Sequence, residues 1–233
     1  MTTSPALPAL PHLALSADVP RAETVLLLID LINPLRFDGA LDLAAPALEA
    51  AAATAALKRE LRGRGVPAVY VNDNFGDWTS DFRGLVAHCR RLKGAAASLA
   101  RQLAPEPGDL TVLKPRHSAF HATPLALLLG AIGARRLVLT GLATDLCVQI
   151  SAMDAFQSGF ELWVPADCTA AESPERKLAA LAWMARALKC RTEPAFGVGA
   201  ALSPAVAPRL PRAPHAQAKR APGRRQPPRR ADQ

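Results

Sequence analysis

Residues 136–164 read RLVLTGLATDLCVQISAMDAFQSGFELWV. Arg136 to Thr140 is a strand-type run whose middle is apolar at successive positions rather than at every second one, the pattern of a strand covered on both faces. Asp145 to Ser158 has helical character, Gly159 sits where that helix must stop, and Phe160 to Val164 is a second apolar run. Strand, helix and strand in this order form a crossover unit with parallel strands.

The same alternation extends in both directions. Upstream come Thr24 to Asp30, Leu41 to Arg62, Val66 to Asn72, a mixed segment to Leu103, Leu110 to Leu113, and Pro124 to Ile132. Downstream, Pro174 to Leu188 is helical and a short strand near Cys190 closes the series. Thr123-Pro124 and Ser173-Pro174 each set a hydroxyl before a proline at a helix start, and Gly65 ends the helix before the second strand. The fold expected is α/β: a three-layer α/β/α sandwich with a mostly parallel, doubly wound sheet.

At 233 residues with 50% hydrophobic and 21% charged side chains, the chain can bury one large core. Residues 1–22, rich in Pro, Ala and Ser, read as a flexible arm. The domain runs from 23 to 202, and 203–233 reads as a disordered basic tail with seven prolines and eight Lys or Arg. That tail explains the formal charge of +8: the residues before it carry 20 basic and 19 acidic side chains, which argues against a nucleic-acid partner for the body. Val25 to Ile29 and Ala131 to Val138 are the strongest apolar runs around the strands. Both fall short of the roughly 18 residues of a membrane span. The N-terminus lacks the pattern of a secretory signal, so a cytoplasmic protein is expected. Cys89, Cys147, Cys168 and Cys190 form neither a CxxC pair nor a zinc-like group, so no structural metal and no disulfide framework are expected.

Parallel open sheets bind ligands beyond the carboxyl ends of their strands. Three such ends carry reactive groups: Asp30 in VLLLID, Lys114 in LTVLKP and Cys147 in LVLTGLATDLC. With Thr144 as cap, Cys147 falls in the first turn of the following helix, where unpaired N–H groups and the helix dipole favour a thiolate. A carboxylate within reach can take the thiol proton and an ammonium can stabilise the anion. Cys89, Cys168 and Cys190 lack such a setting and read as packing residues. His117 and His121 precede the helix start at Pro124 and read as pocket lining rather than as metal ligands. Phe37, Asn74, Trp78, Phe82 and Phe120 join them by nearness to the strand ends. No GxGxxG, GxxxxGK[ST] or GxSxG pattern occurs, which removes dinucleotide, P-loop and serine-hydrolase readings.

From Thr24 to Phe196 the chain resembles the isochorismatase-like cysteine hydrolases. LLLIDLIN resembles the family's first strand with its acid, VLKPRHSAFHATPL its lysine segment, and TGLATDLCVQISAMDAFQSG its cysteine signature. The resemblance implies a catalytic triad of Asp30, Lys114 and Cys147, a cis peptide at Leu142-Ala143, and an oxyanion hole made by the amides of Ala143 and Cys147. It also implies strand order 3-2-1-4-5-6, a small-molecule substrate and a homo-oligomer. Family members that act on nicotinamide hold a metal with an Asp and two His after the second strand. Here that segment reads VNDNFGDWTSDF, which keeps Asp73 but has no histidine, so no metal and no cofactor are expected. The reading is a cysteine-dependent amidohydrolase that cleaves a C–N bond of a small amide or ureido compound through a thioester. Two alternatives stay open: hydrolysis of a vinyl ether on the same fold, and a non-enzymatic binding module using the basic tail.

Overall fold

The computed structural model describes residues 19–196. Most of the expected arm, the 202/203 boundary and the basic tail lie outside the described residues. The last part of the arm does pack: Val19 and Ala22 rest on the core, and the Ala22 amide donates to Ile132 O at 3.1 Å. The body therefore includes residue 19 instead of starting at 23.

Strands β1 (Thr24–Ile29), β2 (Ala68–Asp73), β3 (Leu110–Lys114), β4 (Arg136–Leu142) and β5 (Glu161–Trp163) form a parallel sheet in the order 3-2-1-4-5. A sixth strand, β6 (Thr169–Ala170), pairs with Gly141 and Leu142 at the end of β4 rather than with β5. β5 stops at Trp163, and this leaves the far end of β4 without a neighbour on that side for β6 to fill. The edge expected near Cys190 is a single parallel bridge from Arg191 to Trp163.

Helix α1 (Ala40–Gly63) crosses from β1 to β2 and packs with α3 (Ala95–Gln102), itself against α2 (Phe82–Arg91), on one face of the sheet. These two short helices are what the mixed segment becomes, with Asp81 capping α2 by accepting from Gly84 N at 2.7 Å. Helices α4 (Leu125–Ile132), α5 (Gln149–Gln157) and α6 (Pro174–Leu188) cover the other face. β1 is central, and Val25 to Ile29 are at most 1% exposed, the cause of its unbroken apolar run. Gly65 and Gly159 end α1 and α5 at positive φ, each helix closing with paired 5→2 and 6→1 amide bonds. Ser173 caps α6 by accepting from Arg176 N. Among the described residues one helix, α1, is long and apolar enough to cross a bilayer. In the fold its Leu43, Ala47, Ala50, Ala51, Leu57 and Leu61 are buried along one side.

Candidate active site

β1, β3 and β4 all run toward the same edge of the sheet, and each delivers one of the three reactive groups there. Asp30 follows β1, holds the sheet through its amide to Val71 O at 3.0 Å, and turns the chain away at φ 52°. Aspartate tolerates that left-handed conformation better than most residues. Lys114 ends β3 and is fully buried. Its Nζ lies 2.8 Å from Asp30 Oδ2, 3.4 Å from Asp73 Oδ2, 3.1 Å from Arg116 O and 3.7 Å from Cys147 Sγ. Asp30 Oδ1 accepts from the Asp73 amide at 2.7 Å. Both of its oxygens are therefore engaged.

Cys147 does not sit in the first turn of an α-helix capped by Thr144. Thr144–Val148 is a π-helical turn preceding α5, with Ala143 as its cap, and Thr144 Oγ1 is buried without a hydrogen-bond partner. Ala143 O accepts from the amides of Leu146 and Val148, passing over the Cys147 amide between them. That N–H is thus not taken by the Ala143 carbonyl. The Leu142–Ala143 peptide is cis. Gly141, at φ 128°, passes so close to β1 that a Cβ would lie 1.9 Å from Ile29 O; glycine is the residue that permits this crossing.

Electrostatics differ from what a helix N-terminus alone suggests. Burial, then the Asp30 carboxylate, push the Cys147 thiol up to about 12, against the pull of Lys114. Burial likewise raises Asp30, opposed chiefly by Lys114. Desolvation would lower Lys114, but Asp30, Cys147 and Asp73 outweigh it and hold the ammonium charged. Lys114 is thus an ammonium and Cys147 rests as a thiol. Moving the thiol proton to Asp30 changes no net charge, so the buried lysine stays compensated throughout.

His117 is exposed, with Nδ1 3.8 Å from Cys147 Sγ. Sequence reasoning missed what holds its segment. Ser151 Oγ donates to Cys147 O at 2.6 Å and accepts from Ala119 N at 2.9 Å, while Ser118 Oγ donates to Asp154 Oδ2 at 2.5 Å. The only prior signal was a serine four residues beyond the cysteine.

The other pocket candidates separate. Asn74 and Trp78 share an open cleft with Ser80, Leu113, Pro115 and Ala122, and Trp78 is 81% exposed. None of the three reactive residues lines that cleft. Phe82 is a packing residue instead: it is buried with its ring 5.4 Å from that of Tyr70. Phe120 is half-buried and pairs with Phe160, which precedes β5 and so lies toward the opposite end of the sheet. Phe37 and His121 are exposed. Cys89, Cys168 and Cys190 are buried, and burial pushes Cys89 up to about 11, Cys190 up to about 12 and Cys168 upward.

The segment after β2 does not suit a metal. The Asp73 carboxylate accepts from Phe75 N and faces Lys114, and no group of three His, Cys, Asp or Glu able to hold an ion occurs among the described residues.

The isochorismatase domain family matches residues 24–193, nearly the whole of the described body. The chain belongs to the isochorismatase family. It is a hydrolase of that family. An uncharacterised isochorismatase family protein of Bacillus subtilis, YaaI, is 32% identical over 168 residues, covering 72% of this chain and 92% of that protein. A ureidoacrylate amidohydrolase of Methylorubrum extorquens is 43% identical over 77 residues, covering 33% of this chain and 31% of that enzyme. Among solved structures, a pyrazinamidase/nicotinamidase of Streptococcus mutans superposes with a TM-score of 0.59 at 26% identity, covering 72% of this chain and 99% of that one. The three-layer sheet and the strand order from β3 to β5 are those of this family's hydrolases.

Proposed function

We propose that this isochorismatase-family hydrolase is a cysteine-dependent amidohydrolase acting on a small amide or ureido compound through a thioester. One observation carries the reading: Lys114 Nζ stands between Asp30 and Cys147, 2.8 Å from the one and 3.7 Å from the other, at the ligand-binding edge of the sheet. Asp30 takes the Cys147 proton as the thiolate attacks the substrate carbonyl. The amides of Ala143 and Cys147 receive the oxyanion. Asp30 then returns the proton to the leaving nitrogen, and water activated by the same carboxylate opens the thioester and restores the thiol. Every proton passes to or from Asp30, so the charge of the Asp30–Cys147 pair is conserved as the thiolate forms, with Lys114 charged from start to finish. No step passes through a metal.

The relatives support the amide reading by name only, since the ureidoacrylate amidohydrolase match covers a third of this chain. The test is ammonia release from a panel of small amides and ureas by wild type and Cys147→Ala. The small change should leave circular dichroism unaltered and abolish hydrolysis of the best substrate, together with any trapped acyl adduct. Undiminished turnover by the alanine variant would remove the covalent mechanism and favour vinyl ether hydrolysis, which need not use the sulfur.

A further inference from the structure

We propose that His117 is a fourth catalytic residue, whose Nδ1–H donates to Cys147 Sγ as the sulfur becomes a thiolate. The proposal rests on the reading of Cys147 as nucleophile and adds a group that reading leaves out.

Lys114 has too few donors for all of its neighbours. An ammonium has three N–H donors. Four acceptors surround this one, at 2.8 Å (Asp30), 3.1 Å (Arg116 O), 3.4 Å (Asp73) and 3.7 Å (Cys147), and the sulfur is the farthest. The two carboxylates and the carbonyl can use all three donors, so a newly formed thiolate is left with little from Lys114 beyond its charge. A buried anion without directed donors is costly. His117, at 3.8 Å, is the side chain placed to supply one from the open side of the site.

Its placement is built rather than accidental. Although the ring is exposed, the residues after it are tied down: Ser118 to Asp154, Ala119 to Ser151, and Thr123 Oγ1 to Ala119 O at 2.6 Å. Ser151 also bonds Cys147 O, so one serine fixes the His117 segment and the cysteine turn relative to each other. Burial raises the resting thiol to about 12, which makes a second donor to the thiolate consequential. Other charged groups reach this place differently. Asp30 from β1, Asp73 from β2 and Lys114 from β3 approach from the sheet; Asp154 from α5 is bound by Ser118; Arg116 and His121 are exposed members of the same segment.

The experiment is alkylation of Cys147 by iodoacetamide at several pH values, followed by peptide mass spectrometry. It compares full-length wild type, His117→Ala and His117→Gln, and needs no knowledge of the substrate. Removing the ring opens the site, so a residue that only lines it would label faster as alanine. The proposal expects the reverse: labelling of His117→Ala slower by on the order of tenfold, the scale of a hydrogen bond to a charged group. His117→Gln, which keeps an N–H donor, should recover part of the lost rate. Cys89, Cys168 and Cys190 should stay unlabelled in all three proteins, which reports that each is folded. Equal or faster labelling of His117→Ala overturns the role of His117 and leaves Cys147 as nucleophile. No labelling of wild-type Cys147 at any pH overturns both.

Discussion

Two buried lysines stand at opposite ends of the sheet, and both are paired with acids. Lys58, on α1, lies 2.5 Å from Asp109, 3.1 Å from Glu106 and 3.1 Å from Tyr70 Oη, with the Tyr70 ring 5.1 Å beneath it. Tyr70 Oη in turn donates to Leu103 O. Every polar group in that cluster has a partner within the fold, and it joins α1 to the start of β3 and the end of α3. Lys114 has the same charge pattern with one member different: where Lys58 meets a phenol that stays protonated, Lys114 meets a thiol beside a mouth open at His117. Buried lysine with carboxylates is therefore not by itself a sign of chemistry. A nucleophile among its neighbours, and access for a carbonyl, separate the site from the staple.

Removing each ammonium in turn separates the two clusters most strongly. Lys114→Met leaves the buried Asp30 carboxylate without its ammonium, a change that costs about 3–5 kcal/mol of stability where a buried pair is broken. Chemical denaturation should show a loss of that order for Lys114→Met and a smaller one for Lys58→Met, because Arg62 stays 3.6 Å from Asp109 and also pairs with the half-exposed Glu106. Turnover per folded molecule should diverge. It should fall at least about a thousandfold in Lys114→Met, which loses the charge that balances the thiolate, and stay near wild type in Lys58→Met. A Lys58→Met enzyme as inactive as Lys114→Met would show that the two ends are not functionally separate.

What could be read in the sequence tracks how local each determinant is. The strand ends were legible because an apolar run followed by Asp30, Lys114 or the cysteine turn is visible in a few consecutive residues, and strand direction then brings all three to one edge. The resemblance to a family added the chemical roles. The placement of β6 was not legible: two residues carry no periodicity, and their pairing with β4 depends on β5 being only three residues long. The π turn was missed because Thr144 looks like an ordinary cap, whereas the chain enters the turn from Ala143 with the threonine hydroxyl buried inside it. Gly141 gave no signal as a glycine in a strand, since its cause is the backbone of β1, more than a hundred residues away in sequence. Phe82 and Phe120 were misplaced for a related reason: nearness to a strand end along the chain does not say which way a ring points.

Alkaline pH offers a second, smaller separation of the two clusters. Burial raises Cys147 from 9.0 to about 12 and Tyr70 from 10.0 to about 12. In both cases folding favours the protonated form. Each contribution is complete below the unfolded value and is lost as pH rises toward the folded one, so stability must fall with pH, and the thiol must begin to act about one pH unit before the phenol. The limiting slope per group is about 1.4 kcal/mol per pH unit. Lys114 and Lys58, both raised from 10.5, act in the same direction at higher pH. Unfolding free energy measured from pH 8 to 11 should decline, with Cys147→Ala flattening the curve from about pH 9 and Tyr70→Phe only above about pH 10. Parallel curves for wild type and Cys147→Ala would mean that the sulfur is not held protonated in the folded site.

The smallest expected effect is that of metal removal, and it tests whether the carboxylates at both ends belong to their lysines. Asp73 is the acid that the family resemblance marks for a metal, yet its carboxylate is taken by the Phe75 amide and by Lys114, and Asp109 and Glu106 are likewise turned to Lys58. Binding a divalent cation at either place would set it against a buried ammonium without the nitrogen or sulfur ligands that compensate such a position. Dialysis against a millimolar chelator should therefore leave both the melting temperature and the turnover of the best amide unchanged, and elemental analysis of the purified enzyme should find zinc, manganese and iron well below one equivalent. A stoichiometric metal whose removal abolishes turnover while the fold persists would place an ion at the Asp73 edge, and the upper cluster would then differ from the lower one by its metal as well as by its thiol.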